Sequence, residues 1–211
     1  MKLYYEEDPA PNPRKVRIYL AEKGLSIPLE RVRMQKREHK APVFMKKNSL
    51  GQVPVLELDD GTCISESLAI CRYLEELNPS PPLFGRTPVE RALTEMWIRR
   101  AEFRVWTPMG QVWINDDPRT AVVNPNQFKD YGAHSRKVVA NAMKWIDREL
   151  GDGRAFLVGA EFSMADIVLV CGIDFAKFVN MDIPEDATNL RSWHARVSAR
   201  PSVQGTARAA A

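Results

Sequence analysis

The chain is poor in cysteine and histidine, with three of each in 211 residues. Cys63, Cys71 and Cys171 form no CxxC pair and no metal-ligand spacing, so neither a disulfide framework nor a metal module is expected. Charge of one sign is also missing. Lys and Arg total 30 against 27 Asp and Glu, leaving +3. That excess is too small to mark a nucleic-acid binder. No window approaches about 20 uninterrupted apolar residues, which excludes a transmembrane helix and a membrane partner. The opening MKLYYEEDPAP turns acidic without an apolar core, so no secretory signal is predicted. These absences point to the cytoplasm. What is present is an ordinary globular composition, 45% hydrophobic and 27% charged, able to bury a core.

The first part alternates element types. Lys2 to Tyr5 reads as a strand and Asp8 to Pro13 as a turn-rich loop. A helix follows, with Pro13 suited to its first turn, Val16, Tyr19 and Leu20 at helical spacing, and Gly24 as its stop. Leu29 to Met34 reads as a second strand and 35–47 as loop or irregular helix. Val53 to Leu58 is a third strand, Asp59-Asp60-Gly61 a hairpin turn, and Thr62 to Ser65 the return. The next helix carries Leu68, Ile70, Cys71, Tyr73, Leu74 and Leu77, and ends at Asn78-Pro79. The order β-α-β then β-β-α fits a mixed four-stranded sheet with helices on its faces. This first domain covers 1–78, a proline-rich linker 79–88, and an all-helical domain 89–211. In the latter, Pro108 predicts a break or kink in a helix spanning Thr94 to Val112. Val139, Met143, Ile146 and Leu150 form a helical stripe. Ser163-Met164-Ala165-Asp166 reads as a capping box opening an apolar helix. A last helix spans roughly 187–199 and is stopped by Pro201.

One feature of the third strand is out of place. Pro54 has no N–H for a ladder, yet it stands inside an apolar run. Gln52-Val53-Pro54-Val55-Leu56, with Glu66-Ser67 behind the hairpin, resembles the glutathione-binding signature of the cytosolic glutathione transferase superfamily. The capping box at Ser163 and the domain order are similar to that family over nearly the whole chain. The resemblance implies an α/β thioredoxin-like N-terminal domain and an all-α C-terminal domain. It implies glutathione as co-substrate, with no metal and no nucleotide, and a homodimer. It also implies a cis bond before Pro54, with the Val53 main chain holding the ligand as an added strand. Ser67, read as an N-cap, would hold the γ-glutamyl carboxylate, and Glu66 its ammonium. His39 and Lys40 are candidates for the glycyl carboxylate.

Family members activate the glutathione thiol with a Tyr ending the first strand, or a Ser or Cys in the loop that opens the first helix. Here the loop reads Ala10-Pro11-Asn12-Pro13 and has neither hydroxyl nor thiol. It is most similar to the nu class, where an asparagine amide contacts the sulfur. Asn12 is the first candidate for that role and Tyr5 the second. Phe103, Trp106 and Trp113 are candidates to line a pocket, between the domains, for a small hydrophobic electrophile. Conjugation of that electrophile is the first functional reading. Glutathione-dependent disulfide or peroxide reduction, and non-catalytic glutathione or ligand binding, are the alternatives.

Overall fold

The computed structural model describes residues 1–7 and 10–206. Asp8 and Pro9 of the predicted loop lie outside them. Two compact units form: Met1–Leu83 with the segment that begins at Pro201, and Phe84–Arg200.

The first unit opens with β1 (Lys2–Tyr5), α1 (Pro11–Lys23) and β2 (Leu29–Arg31). Helix α1 starts two residues earlier than expected, because Pro11 and Pro13 both fit a first turn, where a missing N–H costs no helical bond. It stops at Gly24, whose φ of 62° is a left-handed C-cap open to glycine at little cost. Two 3₁₀ turns and the short α2 (Pro42–Met45) fill the segment expected to be irregular. Then come β3 (Val55–Glu57), β4 (Cys63–Ser65) and α3 (Ser67–Leu77). The sheet order is β2-β1-β3-β4. Strand β1 is parallel to β2 and antiparallel to β3, and β3 is antiparallel to β4. Val53 and Pro54 precede β3 rather than belonging to it, which removes the conflict of a proline in a ladder.

Helices α1 and α3 pack together over buried Val16, Leu20, Ile70 and Leu74. A polar knot ties them to the proline-rich segment. The fully buried Lys23 ammonium pairs with Glu75 at 2.6 Å and donates to the Asn78 carbonyl at 2.7 Å. Tyr19 donates to the same carboxylate at 2.7 Å, and the Leu83 N–H does so at 3.0 Å. Burial and the Glu75 carboxylate push the Tyr19 phenol well up. The other face of the sheet carries Tyr4, Val32, Phe44, Val53 and Val55.

The second unit is helical. Helix α4 (Pro88–Ala101) opens on a Thr87–Glu90 capping box. A π-helical turn, Glu102–Trp106, joins it to α5 (Thr107–Asn115). At Pro108, where a break or kink is expected, the helix runs on through a widened turn. Pro108 offers no N–H to the Arg104 carbonyl and its ring would crowd it. The Thr107 N–H and hydroxyl both turn to the Glu102 carbonyl. Helix α6 (Lys129–Glu149) buries the predicted stripe of Val139, Met143 and Ile146, with Leu150 beyond it. Helices α7 (Met164–Phe178) and α8 (Thr188–Ser198) follow. Pro201 ends α8 and starts a four-residue helix, α9 (Pro201–Gln204), which packs on α1 and groups with the first unit. No helix among the described residues is long and apolar enough to cross a membrane.

Helix α7 is anchored by Asp166, which has no exposed surface. Its carboxylate accepts from the Ser163 N–H (3.0 Å) and hydroxyl (2.9 Å), the Leu157 N–H (2.9 Å) and the Trp193 indole N–H (2.9 Å). Burial pushes this carboxyl up while four donors pull it down. The Asp166→Ala protein leaves those donors without an acceptor in the core. Its stability, measured by denaturant unfolding, is expected to fall by about 3–5 kcal/mol.

Candidate active site

The strand directions bring the predicted residues of the first unit to one end of the sheet. Chain β1 ends there at Tyr5 and leads into the start of α1, which carries Asn12. Strand β3 begins there, with Val55 opposite Tyr4, so Val53-Pro54 enters beside Tyr5. Strand β4 ends there, with Ser65 opposite Val55, and leads through Glu66 into Ser67. Strand β2 ends there too, Arg31 lying opposite Tyr5, and feeds the segment with His39 and Lys40.

The Val53–Pro54 bond is cis. The Val53 side chain is sunk in the cluster of Tyr4, Val32, Phe44 and Val55. Its own N–H and C=O have no hydrogen-bond partner among the described residues. Asn48, which sequence reasoning passed over, holds this stretch. Its buried amide donates to the Gln52 carbonyl at 2.8 Å and accepts from the Leu50 N–H at 3.1 Å. Gly51, at φ 57°, lets the chain press on the next segment: a Cβ there would lie 2.7 Å from the His39 carbonyl and 3.0 Å from Lys40 Cδ. This contact sets His39 and Lys40 against Gly51, two residues before Val53 in the chain. The Lys40 ammonium donates to the Leu50 carbonyl at 2.9 Å. His39 Nδ1 is buried without a partner. Burial, then the nearby Lys40 and Arg37 charges, hold the His39 imidazole below its ordinary pKa.

Ser67 is not the N-cap that the sequence suggested. Glu66 takes that position at φ 69°, and Ser67 is the buried first residue of α3. A left-handed non-glycine residue is strained, and such strain concentrates at functional positions. Neither the exposed Glu66 carboxylate nor the Ser67 hydroxyl has a side-chain partner among the described residues. A cation-seeking carboxylate thus stands beside a hydroxyl at the positive end of an eleven-residue helix.

Asn12 is exposed and is the second residue of α1, where no side chain caps the helix. With prolines at 11 and 13, its N–H is the one main-chain donor of the first three helical positions. Its side-chain oxygen accepts from the buried Lys15 ammonium at 3.0 Å. Tyr5 is engaged elsewhere. Its hydroxyl donates to Glu7 at 3.3 Å and Arg17 lies over its ring. Burial and Glu7 push its phenol up, which makes it a poorer acid. No cysteine is placed as a nucleophile: Cys71 and Cys171 are buried, and burial pushes the half-buried Cys63 thiol up.

In the second unit, Trp106 and Trp113 come together and Phe103 does not join them. Trp106 stacks on Phe175 (6.3 Å, 10°), which stacks on Phe178 (5.7 Å, 23°), and Trp113 leans on both phenylalanines. The Trp106 indole donates to the Val168 carbonyl at 3.0 Å. Phe103 is 66% exposed on the π-helical turn. It lines an open hollow of about 360 Å³ with Met96, Arg99, Arg100 and Arg104.

The sequence matches two family models, the glutathione S-transferase N-terminal domain over residues 10–77 and the C-terminal domain over residues 96–196. It is 38% identical to glutathione S-transferase 2 of Saccharomyces cerevisiae, over 96% of this chain and 88% of that protein. The crystal structure of Gtt2 from the same yeast superposes with a TM-score of 0.91 over 98% of this chain and all of that one, at 38% identity. A Gtt2-class glutathione S-transferase of Vibrio parahaemolyticus superposes at 0.84, with 32% identity over 98% of this chain and 96% of that one. Part of the chain is also similar to elongation factor 1-gamma 1 of Arabidopsis thaliana, a probable assignment there, at 32% identity over 64% of this chain and 31% of that protein. The four-stranded mixed sheet with its helices, the all-helical second unit and these matches agree: the chain belongs to the glutathione S-transferase family.

Proposed function

We propose that the protein binds reduced glutathione at this end of the sheet and promotes attack of its sulfur on a small hydrophobic electrophile. The observation that carries the reading is Val53. Its side chain is fixed in the core while its N–H and C=O stay outside the ladder. An extended peptide pairs with such a residue as an added strand. The rest of the site suits the rest of glutathione. The γ-glutamyl carboxylate meets the Ser67 hydroxyl and the start of α3, and its ammonium meets Glu66. Gln52 flanks the same main-chain stretch. The glycyl carboxylate meets His39 and Lys40. Asn12, at the positive end of α1, donates to the sulfur.

An amide cannot take up a proton, so activation rests on hydrogen bonding and the helix dipole. The thiol proton leaves to solvent. The thiolate then forms a C–S bond with the electrophilic carbon, and the leaving group departs with the electron pair. The aromatic surface of Trp106 and Trp113 suits an apolar acceptor. We also propose a homodimer. The exposed Val89, Leu93 and Phe103 lie along α4 and the turn after it, an apolar stripe of the kind a second subunit covers. The three cysteines, none of them in a disulfide, fit a reducing compartment.

A non-catalytic glutathione-binding protein is the second reading, favoured by the lack of a hydroxyl or thiol at 10–13 and by the similarity to proteins named as elongation factors. Calorimetry of reduced glutathione, with thiolate absorbance followed against pH, separates the readings. The expected result is saturable binding with a thiol pKa below the free value of about 8.5. Ser67→Ala is expected to weaken that binding about 10-fold, the loss of a hydrogen bond to a charged group. Binding without a pKa shift would support the second reading, and no binding would overturn both.

The His39 environment predicts a pH dependence of affinity. The imidazole is held low in the free protein, and a carboxylate beside it raises its pKa in the complex. The complex therefore binds more protons than the free protein. Affinity should rise as pH falls through the complex pKa and level off below the free-protein pKa, about tenfold per unit of difference between them. Calorimetric titrations between about pH 5 and 8 would show this rise, and His39→Gln should flatten it.

A further inference from the structure

We infer that Lys15 is a positioning residue that sets the direction of the Asn12 amide and thereby the acidity of the bound thiol. The inference rests on the reading above, in which Asn12 donates to the glutathione sulfur. Lys15 lies one turn after Asn12 on α1, is 4% exposed, and its ammonium donates to Asn12 Oδ1 at 3.0 Å.

An asparagine amide has two ends of similar shape and opposite function. One accepts and the other donates. On an exposed residue, nothing in the shape of the amide chooses between them. A thiolate accepts hydrogen bonds, so only the NH2 end stabilises it. The oxygen end would face it with like charge and push the thiol pKa up. An ammonium has three donors and no acceptor. It can bond the amide only through Oδ1, and a flipped amide would set two donors against each other. The Lys15 contact therefore holds Oδ1 inward and leaves the NH2 as the outward end. The cation also withdraws electron density from the amide oxygen, which makes the NH2 a stronger donor, since linked hydrogen bonds polarise one another.

The local sequence leaves little else to do this. Pro11 and Pro13 flank Asn12 and bring no main-chain N–H to hold its oxygen. Ala10, at the N-cap, has no polar side chain. The i to i+3 spacing puts Lys15 on the same helix face as Asn12. Burial fixes the lysine, so the amide is oriented before the ligand arrives.

The test follows the pKa of bound glutathione by thiolate absorbance in the wild type, Lys15→Met, Asn12→Ala and the double variant, with thermal unfolding as a check on folding. Asn12→Ala should raise the bound thiol pKa. Lys15→Met should raise it by about 0.5–1 unit, a 3- to 10-fold loss of thiolate near neutral pH. The double variant should match Asn12→Ala, because the lysine acts through the amide. If Lys15→Met does not fold, Lys15→Gln carries the test: its uncharged amide holds the Asn12 oxygen more weakly and can equally turn its own oxygen to the Asn12 NH2, so the pKa should again rise, by less than with methionine. A shift with Asn12→Ala but none with either lysine variant would overturn the role of Lys15. Shifts that add in the double variant would overturn it too, because the lysine would then act on the sulfur directly. No shift with Asn12→Ala would instead remove Asn12 from the sulfur, and with it the reading on which this one rests.

Discussion

The two hydrogen bonds of the Asn48 side chain decide what the end of the sheet can do. Through them the turn at residues 48–52 is closed on itself, with the Gln52 carbonyl and Leu50 N–H both engaged. Val53 follows with its side chain in the core and its main chain unpaired. Were this stretch to straighten into β3, the Val53 main-chain groups would be spent on the ladder. A buried amide that satisfies both its own polar ends and two main-chain groups resists that change, because breaking it would leave the buried Asn48 amide without partners.

The remaining features of the site depend on the same turn. Gly51 allows the segment of His39 and Lys40 to lie against it, with a contact closer than any Cβ would tolerate. The starts of α1 and α3 reach the same end of the sheet because β1 and β4 both end there. Each helix start contributes partial positive charge, and each carries a polar residue, Asn12 on one and Ser67 on the other. The Lys23–Glu75–Tyr19 knot holds the two helices together from behind. A ligand with two carboxylates and a thiol, the one proposed, would meet a distribution of charge set by topology, with few residues specialised for it.

Local signals were legible in the sequence. The glycine that ends α1, the stripe of α6 and the Ser163–Asp166 capping box depend on neighbours within one or two turns, and each formed where the pattern placed it. The Val53-Pro54 and Glu66-Ser67 pairs were legible as a motif, though Ser67 was assigned to the cap that Glu66 occupies. A left-handed glutamate has no sequence signal, since the conformation is rare for that residue. Asn48 and Lys15 were not legible because their partners are fixed only when turn and helix have formed. The return of the chain from Pro201 to α1 was hidden for a related reason. A proline ends one helix and starts another equally well, and only packing on α1 decides where the segment belongs.

The central claim is that glutathione lies along Val53 as an added strand. A crystal structure of the protein with reduced glutathione tests it most directly. The account predicts that the cysteinyl N–H and C=O of the ligand pair with the Val53 C=O and N–H, at about 2.7–3.2 Å, with the γ-glutamyl end at Glu66 and Ser67. Glutathione bound with the Val53 main chain still unpaired, or at another place on the chain, would contradict it.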